Sequence, residues 1–247
     1  MDEVVAALRA AGCVWAEEEA AILRADDRDL AELIARRVAG EPLAHVIGWV
    51  DFLGHRLAVA PGLFVPRPRT ELLARLAVER VRAGAVVVEL CCGVAPVAAV
   101  LAAAEPDAVV HGVDLDPAAL ASAARNVPQA LLHAGDLFAA LPATLARRVD
   151  LVVASPPYVP SAELTLLDGD ARRHEPQPAH DGGADGLDLA RRIVAEARDW
   201  LAPHGRLLVE VARHQAPALA EEFARARLPA TVVTDDELGA TVLINEP

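Results

Sequence analysis

An apolar run over residues 150–154 ends abruptly in Ser155-Pro156-Pro157-Tyr158. A short apolar run with a polar start and prolines at its end predicts a buried central strand. The two prolines lack N–H donors and fix φ, so the strand cannot continue past them. The result is a stiff loop at the carboxyl end of a strand, which is where ligands bind in open α/β sheets. Such a loop can hold carbonyl oxygens and the Ser155 hydroxyl in fixed positions, although two prolines alone fit a plain turn equally well.

Three other predicted strands are also followed by small or acidic residues. Cys91-Cys92-Gly93-Val94-Ala95 forms a tight loop after the first strand, Asp114 ends the second, and Asp136-Leu137 follows the third. A loop that leads into a helix N-terminus favours a ligand carboxylate. A carboxylate at the end of the second strand can accept both hydroxyls of a ribose, and Asp136 is placed to accept from a purine amine. Together these positions predict a site for an adenosine-containing cofactor.

The composition of the first loop separates two such cofactors. Dinucleotide sites use G-x-G-x-x-G to bring the backbone close to a pyrophosphate, whereas this loop reads C-C-G-V-A-P, with one glycine. S-adenosylmethionine presents a small amino acid instead of a diphosphate and needs a less close approach, so we expect S-adenosylmethionine. Two adjacent cysteines without a second pair do not make a zinc site, and we therefore expect no metal.

The site residues must be positioned by a repeating pattern of elements. From residue 85 onwards, short apolar runs alternate with helical patterns, which predicts an α/β fold with a mostly parallel, doubly wound sheet. We divide the chain into a small helical N-terminal domain at 1–40, a β-hairpin linker at 41–65 and a main domain at 66–247. The first helix of the main domain is predicted from Thr70 to about Arg82. The predicted strands are 85–90, 108–114, 130–133, 150–154, 206–211, 230–234 and 241–245.

Composition limits the classes of function. A hydrophobic content of 54% supports a sizeable core, and 23 basic against 36 acidic residues give a net charge of −13. That charge argues against non-specific binding to nucleic acid, which depends on neutralising phosphates. The three cysteines are an odd number and no signal peptide is evident, so we expect a reducing, cytoplasmic setting. No apolar run approaches the roughly 18 residues of a membrane span, so no membrane association is expected.

The chain resembles the HemK/PrmC family of protein-(glutamine N5) methyltransferases over nearly its whole length, including the helical N-terminus. Two of its segments, the Pro-Arg-Pro stretch and the Gly-Gly-Ala-Asp-Gly-Leu stretch, are far more specific than the glycine loop. The matching segments are Gly40-Glu41-Pro42-Leu43, Ile47-Gly48, Val65-Pro66-Arg67-Pro68-Arg69-Thr70-Glu71, Glu89-Leu90-Cys91-Cys92-Gly93, Val113-Asp114, Gly135-Asp136-Leu137-Phe138, Ser155-Pro156-Pro157-Tyr158, His174-Glu175-Pro176, Ala179 and Gly182-Gly183-Ala184-Asp185-Gly186-Leu187-Asp188.

This resemblance implies a Rossmann-like class I methyltransferase that uses S-adenosylmethionine. It implies as acceptor a glutamine side-chain amide in the Gly-Gly-Gln motif of a peptide chain release factor. In the family, the side chain of Asn and the carbonyl of the first Pro in Asn-Pro-Pro-Tyr hold the acceptor amide, and Tyr packs against it. Carried over, Ser155, Pro156 and Tyr158 are the candidate catalytic residues. The candidate cofactor-binding residues are Cys91, Cys92, Gly93, Val94, Ala95, Asp114, Asp136, Leu137 and Ser155, and the candidate substrate-binding residues are Ser155, Pro156, Pro157, Tyr158, Pro66 and Arg67.

Two departures from the family pattern keep other functions open. Ser155 replaces the family's Asn, and a serine offers one hydroxyl where Asn offers a carbonyl and an amine. The loop Cys91-Cys92-Gly93-Val94-Ala95 replaces the family's usual G-x-G-x-G. Ser155 also fits the broader pattern of enzymes that methylate exocyclic amines of nucleic acids. Both departures would suit a protein that binds the cofactor but does not catalyse methyl transfer. Arg67 and Arg69 either contact an acidic partner or lie in a solvated linker.

Overall fold

A computed structural model describes residues 2–245. Three short helices form the N-terminal part, each with leucines or alanines on one buried face: α1 (Glu3–Ala10), α2 (Ala16–Arg24) and α3 (Leu30–Val38). Asp2 and Asp29 begin the first and third of these helices by accepting backbone N–H groups at their N-termini. Over the described residues, no helix combines the length and the apolar character that crossing a bilayer requires.

The segment between the helices and the main sheet contains the predicted hairpin. A short helix α4 (Leu43–Ile47) precedes the antiparallel pair β1 (Trp49–Phe52) and β2 (His55–Ala58), which are joined at Leu53-Gly54. Within the predicted linker at 41–65, Val46 and Ile47 are helical instead of β, because both belong to α4 and are buried against the N-terminal helices.

The rest of the chain alternates strands and helices. Its elements are α5 (Thr70–Val78), β3 (Val86–Leu90), α6 (Pro96–Ala104), β4 (Val109–Asp114), α7 (Pro117–Asn126), β5 (Leu131–Ala134), β6 (Val149–Ala154), α8 (Gly169–His174), α9 (Asp188–Trp200), β7 (Leu201–Glu210), α10 (Ala216–Arg225), β8 (Ala230–Asp235) and β9 (Ala240–Asn245). The predicted strands all exist. Two boundaries differ by more than one residue. Helix α5 ends at Val78 instead of about Arg82, and β7 begins at Leu201 instead of residue 206, because an irregularity between Val149 and Leu151 allows earlier pairing with β6.

The seven main strands form one sheet in the order β5-β4-β3-β6-β7-β9-β8, and only β9 runs antiparallel to its neighbours. Helices α5, α6 and α7 cover one face and helices α9 and α10 cover the other, each burying Leu, Val, Ile and Ala side chains. The predicted fold class, a mostly parallel and doubly wound α/β sheet, is confirmed. Strand order reverses between β3 and β6, so the loops that follow these two strands diverge and leave a crevice.

Candidate active site

A cavity of about 1500 Å³ opens at the carboxyl ends of the strands, beside the point where strand order reverses. Most of the residues that the sequence singled out line this cavity. They are Pro66, Arg67, Cys91, Cys92, Gly93, Val94, Asp114, Asp136, Leu137, Ser155, Pro156, Pro157 and Tyr158. Ala95 differs from the others, because its fully buried side chain packs in the core beneath the loop.

The loop after β3 has the backbone of a glycine-rich turn although it holds only one glycine. Cys91, Gly93 and Ala95 have φ angles of +53°, +52° and +61°, respectively. This left-handed region favours glycine, and other residues enter it at a cost. These three positions correspond to the glycines of G-x-G-x-G. The departure from the family pattern therefore changes the residues but keeps the left-handed backbone.

Asp114 fastens this loop to the end of β4. Its Oδ2 accepts a hydrogen bond from the Gly93 N–H at 2.7 Å, and its Oδ1 accepts from the Asp116 N–H at 2.9 Å. Burial raises the pKa of the Asp114 carboxyl, while these backbone N–H groups act in the opposite direction. A Cβ placed on Gly93 would meet no atom within 4 Å, so the loop faces open space. A half-buried carboxylate beside exposed loop backbone suits the ribose and amino-acid parts of S-adenosylmethionine.

The two adjacent cysteines belong to this loop and have no thiolate character. Burial raises the pKa of both the Cys91 and the Cys92 thiol well above the ordinary value, and the carboxylates of Glu89 and Asp114 raise it further. Low-pKa thiols are the reactive ones. Cys91 and Cys92 thus serve as small side chains that line the cavity.

Glu89 supports the same loop from below and was not identified as a site residue from the sequence. Its carboxylate accepts hydrogen bonds from the Val97 and Ala98 N–H groups, at 3.3 and 2.7 Å, at the start of α6. Only 4% of the residue is exposed, and burial raises the pKa of its carboxyl to about 8 although these hydrogen bonds lower it. Glu89 therefore fixes the N-terminus of α6 behind the loop.

The loop after β5 brings Asp136 to the same cavity. Its Oδ2 accepts from Arg192 of α9 at 2.7 Å, and about half of the Asp136 side chain is exposed. The neighbouring Leu137 is buried and has a φ of +47°. The three predicted strand ends thus meet at one edge of the sheet, and Asp136 has an arginine partner that the sequence did not predict.

The segment Gly182–Asp188 supports the Ser-Pro-Pro-Tyr loop. A Cβ on Gly182 would lie 2.7 Å from the Pro157 carbonyl oxygen, and a Cβ on Gly186 would lie 2.2 Å from the Tyr158 carbonyl oxygen. Gln215 Nε2 donates to the same Tyr158 oxygen at 2.8 Å. Only glycine fits where the two backbones approach so closely. This contact gives the Gly-Gly-Ala-Asp-Gly-Leu stretch a physical role, which is to hold the loop in place.

The Pro-Arg-Pro-Arg segment is held in the protein instead of lying in a solvated linker. The Arg67 guanidinium contacts both carboxylate oxygens of Glu175, at 2.7 and 2.6 Å, and the Glu175 side chain is 1% exposed. His180 Nε2 lies 3.0 Å from the same carboxylate. Arg69 Nη1 donates to the Tyr158 hydroxyl at 2.9 Å. The two arginines thus join this segment to residues near the Ser-Pro-Pro-Tyr loop.

One further carboxyl at the site, Glu210, was not identified from the sequence. It ends β7, lines the cavity and is 1% exposed. Burial raises the pKa of the Tyr158 phenol to about 12, and the Glu210 carboxylate contributes to this rise. In the sequence, Glu210 is a single polar residue within an apolar run, a pattern that does not reveal which face of the strand it occupies.

Comparison with known proteins agrees with this geometry. A family model described as Methyltransferase small domain matches residues 68–167. The release factor glutamine methyltransferase of Geobacter sulfurreducens is 39% identical over 194 residues, which cover 78% of this chain and 68% of that protein. The 4-amino-L-phenylalanine/4-methylamino-L-phenylalanine methyltransferase of Streptomyces pristinaespiralis is 38% identical over 197 residues, which cover 75% and 67%. The crystal structure of a methyltransferase from Pyrococcus furiosus aligns with a TM-score of 0.60 at 16% identity, covering 87% of this chain and 98% of that one.

The fold, together with the family model and the curated relatives, defines a class I S-adenosylmethionine-dependent methyltransferase. Within that class, the chain belongs to the release factor glutamine methyltransferase family.

Proposed function

We propose that this enzyme transfers a methyl group from S-adenosylmethionine to the side-chain amide nitrogen of a glutamine in a peptide chain release factor. The observation that carries the proposal is the Ser155-Pro156-Pro157-Tyr158 loop, held rigidly at the cofactor cavity in a chain 39% identical to a release factor glutamine methyltransferase. Such an enzyme would act in the cytoplasm, where its three free thiols would stay reduced.

The residues around the first loop would hold the cofactor. The open backbone at Gly93, beside the N-terminus of α6, suits its carboxylate, and Asp114 suits the ribose hydroxyls. Asp136, at the neighbouring strand end, suits the adenine amine, with Arg192 fixing its carboxylate. When bound, S-adenosylmethionine supplies an electrophilic methyl group on its sulfonium.

The acceptor would be held at the other side of the cavity. An amide nitrogen is a poor nucleophile because its lone pair is delocalised into the carbonyl. If its two N–H groups donate to Ser155 Oγ and to the Pro156 carbonyl oxygen, electron density on the nitrogen rises and its lone pair is aimed at the methyl group. Positioning of this kind accounts for several powers of ten in rate in well-ordered sites. Tyr158, fixed by Arg69, would pack against the acceptor.

A second acceptor class, an aryl or other exocyclic amine, is favoured by two observations. Ser155 stands where the family has Asn, and a relative of similar identity is named for methylating 4-amino-L-phenylalanine and its N-methyl derivative. A free amine needs only one hydrogen-bond acceptor to orient it, which the Ser155 hydroxyl provides. Within this class, an exocyclic amine of a nucleic acid is less favoured because of the net charge of −13.

The test is a transfer assay with a labelled methyl donor and separate acceptors: release factor, 4-amino-L-phenylalanine and total RNA or DNA. We expect label on the release factor, and we expect Ser155→Asn to retain or raise that transfer because it restores the family's two-point contact. A matched control, Ser161→Asn, changes an exposed serine whose hydroxyl bonds to Asp181 outside the cavity lining. Label on the arylamine alone, with transfer lost in Ser155→Asn, would establish the second class. Label on nucleic acid would instead establish the second class with a nucleic-acid acceptor. A protein that does not bind S-adenosylmethionine would refute both classes.

A further inference from the structure

Glu210 is a buried carboxyl at the cavity that the proposed cofactor and acceptor contacts leave unused. It is 1% exposed, and neither of its carboxylate oxygens has a hydrogen-bond partner of normal geometry within residues 2–245. A buried carboxyl without a partner is costly, and such groups occur where a protein uses them. Glu210 lines the same cavity as the Ser-Pro-Pro-Tyr loop. It is therefore placed to accept hydrogen bonds at the acceptor side.

The register of the sheet places Glu210 beside Ser155. The parallel strands β6 and β7 pair Ala154 with Val209, so Ser155 and Glu210 occupy the next position on each chain. Side chains at matching positions of parallel neighbours lie on the same face of the sheet. Thr70, at the start of α5, also faces this carboxyl. The hydroxyls of Ser155, Thr70 and Tyr158 thus face a carboxyl whose two oxygens can accept from them.

This adjacency matters because a serine hydroxyl has one proton to donate. If that proton is donated to Glu210, the Oγ lone pairs are left for an N–H of the acceptor. If the proton points into the cavity, Oγ competes with the acceptor as a donor. An asparagine at this position would have a separate amide oxygen for the acceptor. Its ability to accept would therefore not depend on the direction in which a hydroxyl proton points. The replacement of Asn by Ser155 therefore makes the neighbouring carboxylate important.

We propose that Glu210 is a positioning residue that accepts the Ser155 hydroxyl proton in a hydrogen bond and takes up, through that hydroxyl, the proton released by the methylated nitrogen. The inference rests on the methyl transfer to nitrogen proposed above, but it holds for an amide and for an amine acceptor alike. The nitrogen–carbon bond forms as the sulfonium carbon–sulfur bond breaks. The nitrogen then loses a proton to Ser155 Oγ while the Ser155 proton passes to Glu210, which becomes a neutral acid.

The charged groups around Glu210 fit this role. Burial raises the pKa of the Glu210 carboxyl, which makes its carboxylate a better proton acceptor than a surface glutamate. The hydroxyls of Thr70 and Ser155 lower that pKa in turn. The ionisable groups that face the carboxyl are Arg69, whose charge lowers the pKa of Glu210, and the Tyr158 phenol, whose hydroxyl also lowers it.

The chain contains a single tyrosine, Tyr158, so one labelled ring reports on this cluster. We would label the ring carbon that bears the hydroxyl with ¹³C and follow its one resonance against pH in the protein without acceptor or cofactor. In the wild type we expect a titration above the ordinary glutamate pKa of 4.5. Glu210→Gln should abolish it. Ser155→Ala should move its midpoint upwards, because the carboxylate loses a donor. A midpoint that Ser155→Ala leaves unchanged would overturn the proposal.

The second measurement is the single-turnover rate of methyl transfer to release factor. Glu210→Gln should lower this rate by about 100-fold, the scale of a positioned proton acceptor, with little change in the concentration of release factor needed for half-maximal rate. Glu237→Gln, an exposed glutamate of the β8–β9 turn, is the matched control and should keep the wild-type rate. A Glu210→Gln variant as fast as the wild type would refute the role. A different outcome separates the two proposals. If release factor receives no methyl group but Ser155→Ala raises the midpoint of the ¹³C titration, the acceptor proposal fails and the Glu210 inference stands.

Discussion

Arg67 binds both carboxylate oxygens of Glu175, at 2.7 and 2.6 Å, and so closes a contact between residues 108 positions apart. The Glu175 carboxylate also lies 3.0 Å from His180, and both residues are buried. Burial alone would raise the pKa of Glu175, but the hydrogen bonds and charges of His180 and Arg67 outweigh it, so this pKa is lowered. The contact ties the Pro-Arg-Pro segment to the residues that precede the Gly-Gly-Ala-Asp-Gly-Leu stretch.

Removing Arg67 should therefore destabilise the fold. Arg67→Ala leaves a buried carboxylate short of its main charge partner, and we expect a loss of about 2 kcal/mol in the free energy of unfolding at neutral pH. The pKa of Glu175 is lowered in the folded protein, so the ionised carboxylate stabilises the fold. This contribution to the free energy of unfolding is complete above pH 4.5, the ordinary pKa of glutamate, and is lost as the pH falls below that value. The penalty should shrink accordingly in acid. Arg75→Ala, which breaks an exposed pair with Glu71, should cost less than about 0.5 kcal/mol in urea unfolding. Equal losses for the two variants would contradict the account.

Restoring glycine to the first loop should stabilise the protein. Cys91 and Ala95 hold φ angles of +53° and +61°, which cost a residue with a Cβ about 1 kcal/mol each. Glycine adopts this conformation freely but loses more entropy on folding, so Cys91→Gly should raise the free energy of unfolding by about 0.5 kcal/mol. Thermal unfolding measures this change, and Cys13→Gly, in the N-terminal helical core, should destabilise instead. Destabilisation by Cys91→Gly would show that the Cys91 side chain contributes more by packing than its backbone costs.

The Asp114 carboxylate should be needed for the cofactor. Asp114→Ala removes the proposed ribose acceptor and also the 2.7 Å hydrogen bond that fastens Gly93. We expect binding of S-adenosylmethionine to weaken by about 10- to 100-fold, the range for loss of charged hydrogen bonds. Titration calorimetry gives the dissociation constant, with Asp107→Ala as an exposed control beyond the end of α6. Unchanged affinity in Asp114→Ala would remove Asp114 from the cofactor site.

Glu89 should make stability fall with rising pH. Its pKa is raised to about 8 in the folded protein, chiefly by burial, so the folded state keeps a proton that the unfolded chain releases near 4.5. The contribution of Glu89 to the free energy of unfolding is therefore complete below pH 4.5 and is lost as the pH rises through about 8. The stability of the wild type relative to Glu89→Gln should decline over this interval and then level off. A difference between the two proteins that stays constant across it would contradict the raised pKa.

The repeating pattern allowed much of this architecture to be predicted. Short apolar runs of four to seven residues located every strand of the main sheet, and the ends of those strands located Asp114, Asp136 and Ser155. This succeeds because parallel strands are buried on both faces and are therefore continuously apolar. The helix Gly169–His174 was not predicted, because its six residues are too few to show a helical period.

Contacts between distant segments could not be predicted from the spacing of residues along the sequence. Glu175 lay in a family-matching segment but had no assigned role, and Glu210 looks like an ordinary acidic residue in the sequence. Only the packed chain shows that Glu175 binds Arg67 and that Glu210 faces Ser155. The left-handed backbone at Cys91 was equally hidden, because a cysteine gives no sign of a positive φ. The resemblance to a known family supplied the acceptor loop, and the fold explains why that loop stays rigid.

The central claim is that this enzyme methylates a glutamine of a release factor. The most direct measurement is tandem mass spectrometry of a bacterial release factor after incubation with the enzyme and S-adenosylmethionine. The account predicts one added methyl group, located on the glutamine side chain of the Gly-Gly-Gln motif, and none when that glutamine is replaced by alanine. An unmodified glutamine, from enzyme that binds the cofactor and methylates 4-amino-L-phenylalanine instead, would contradict it.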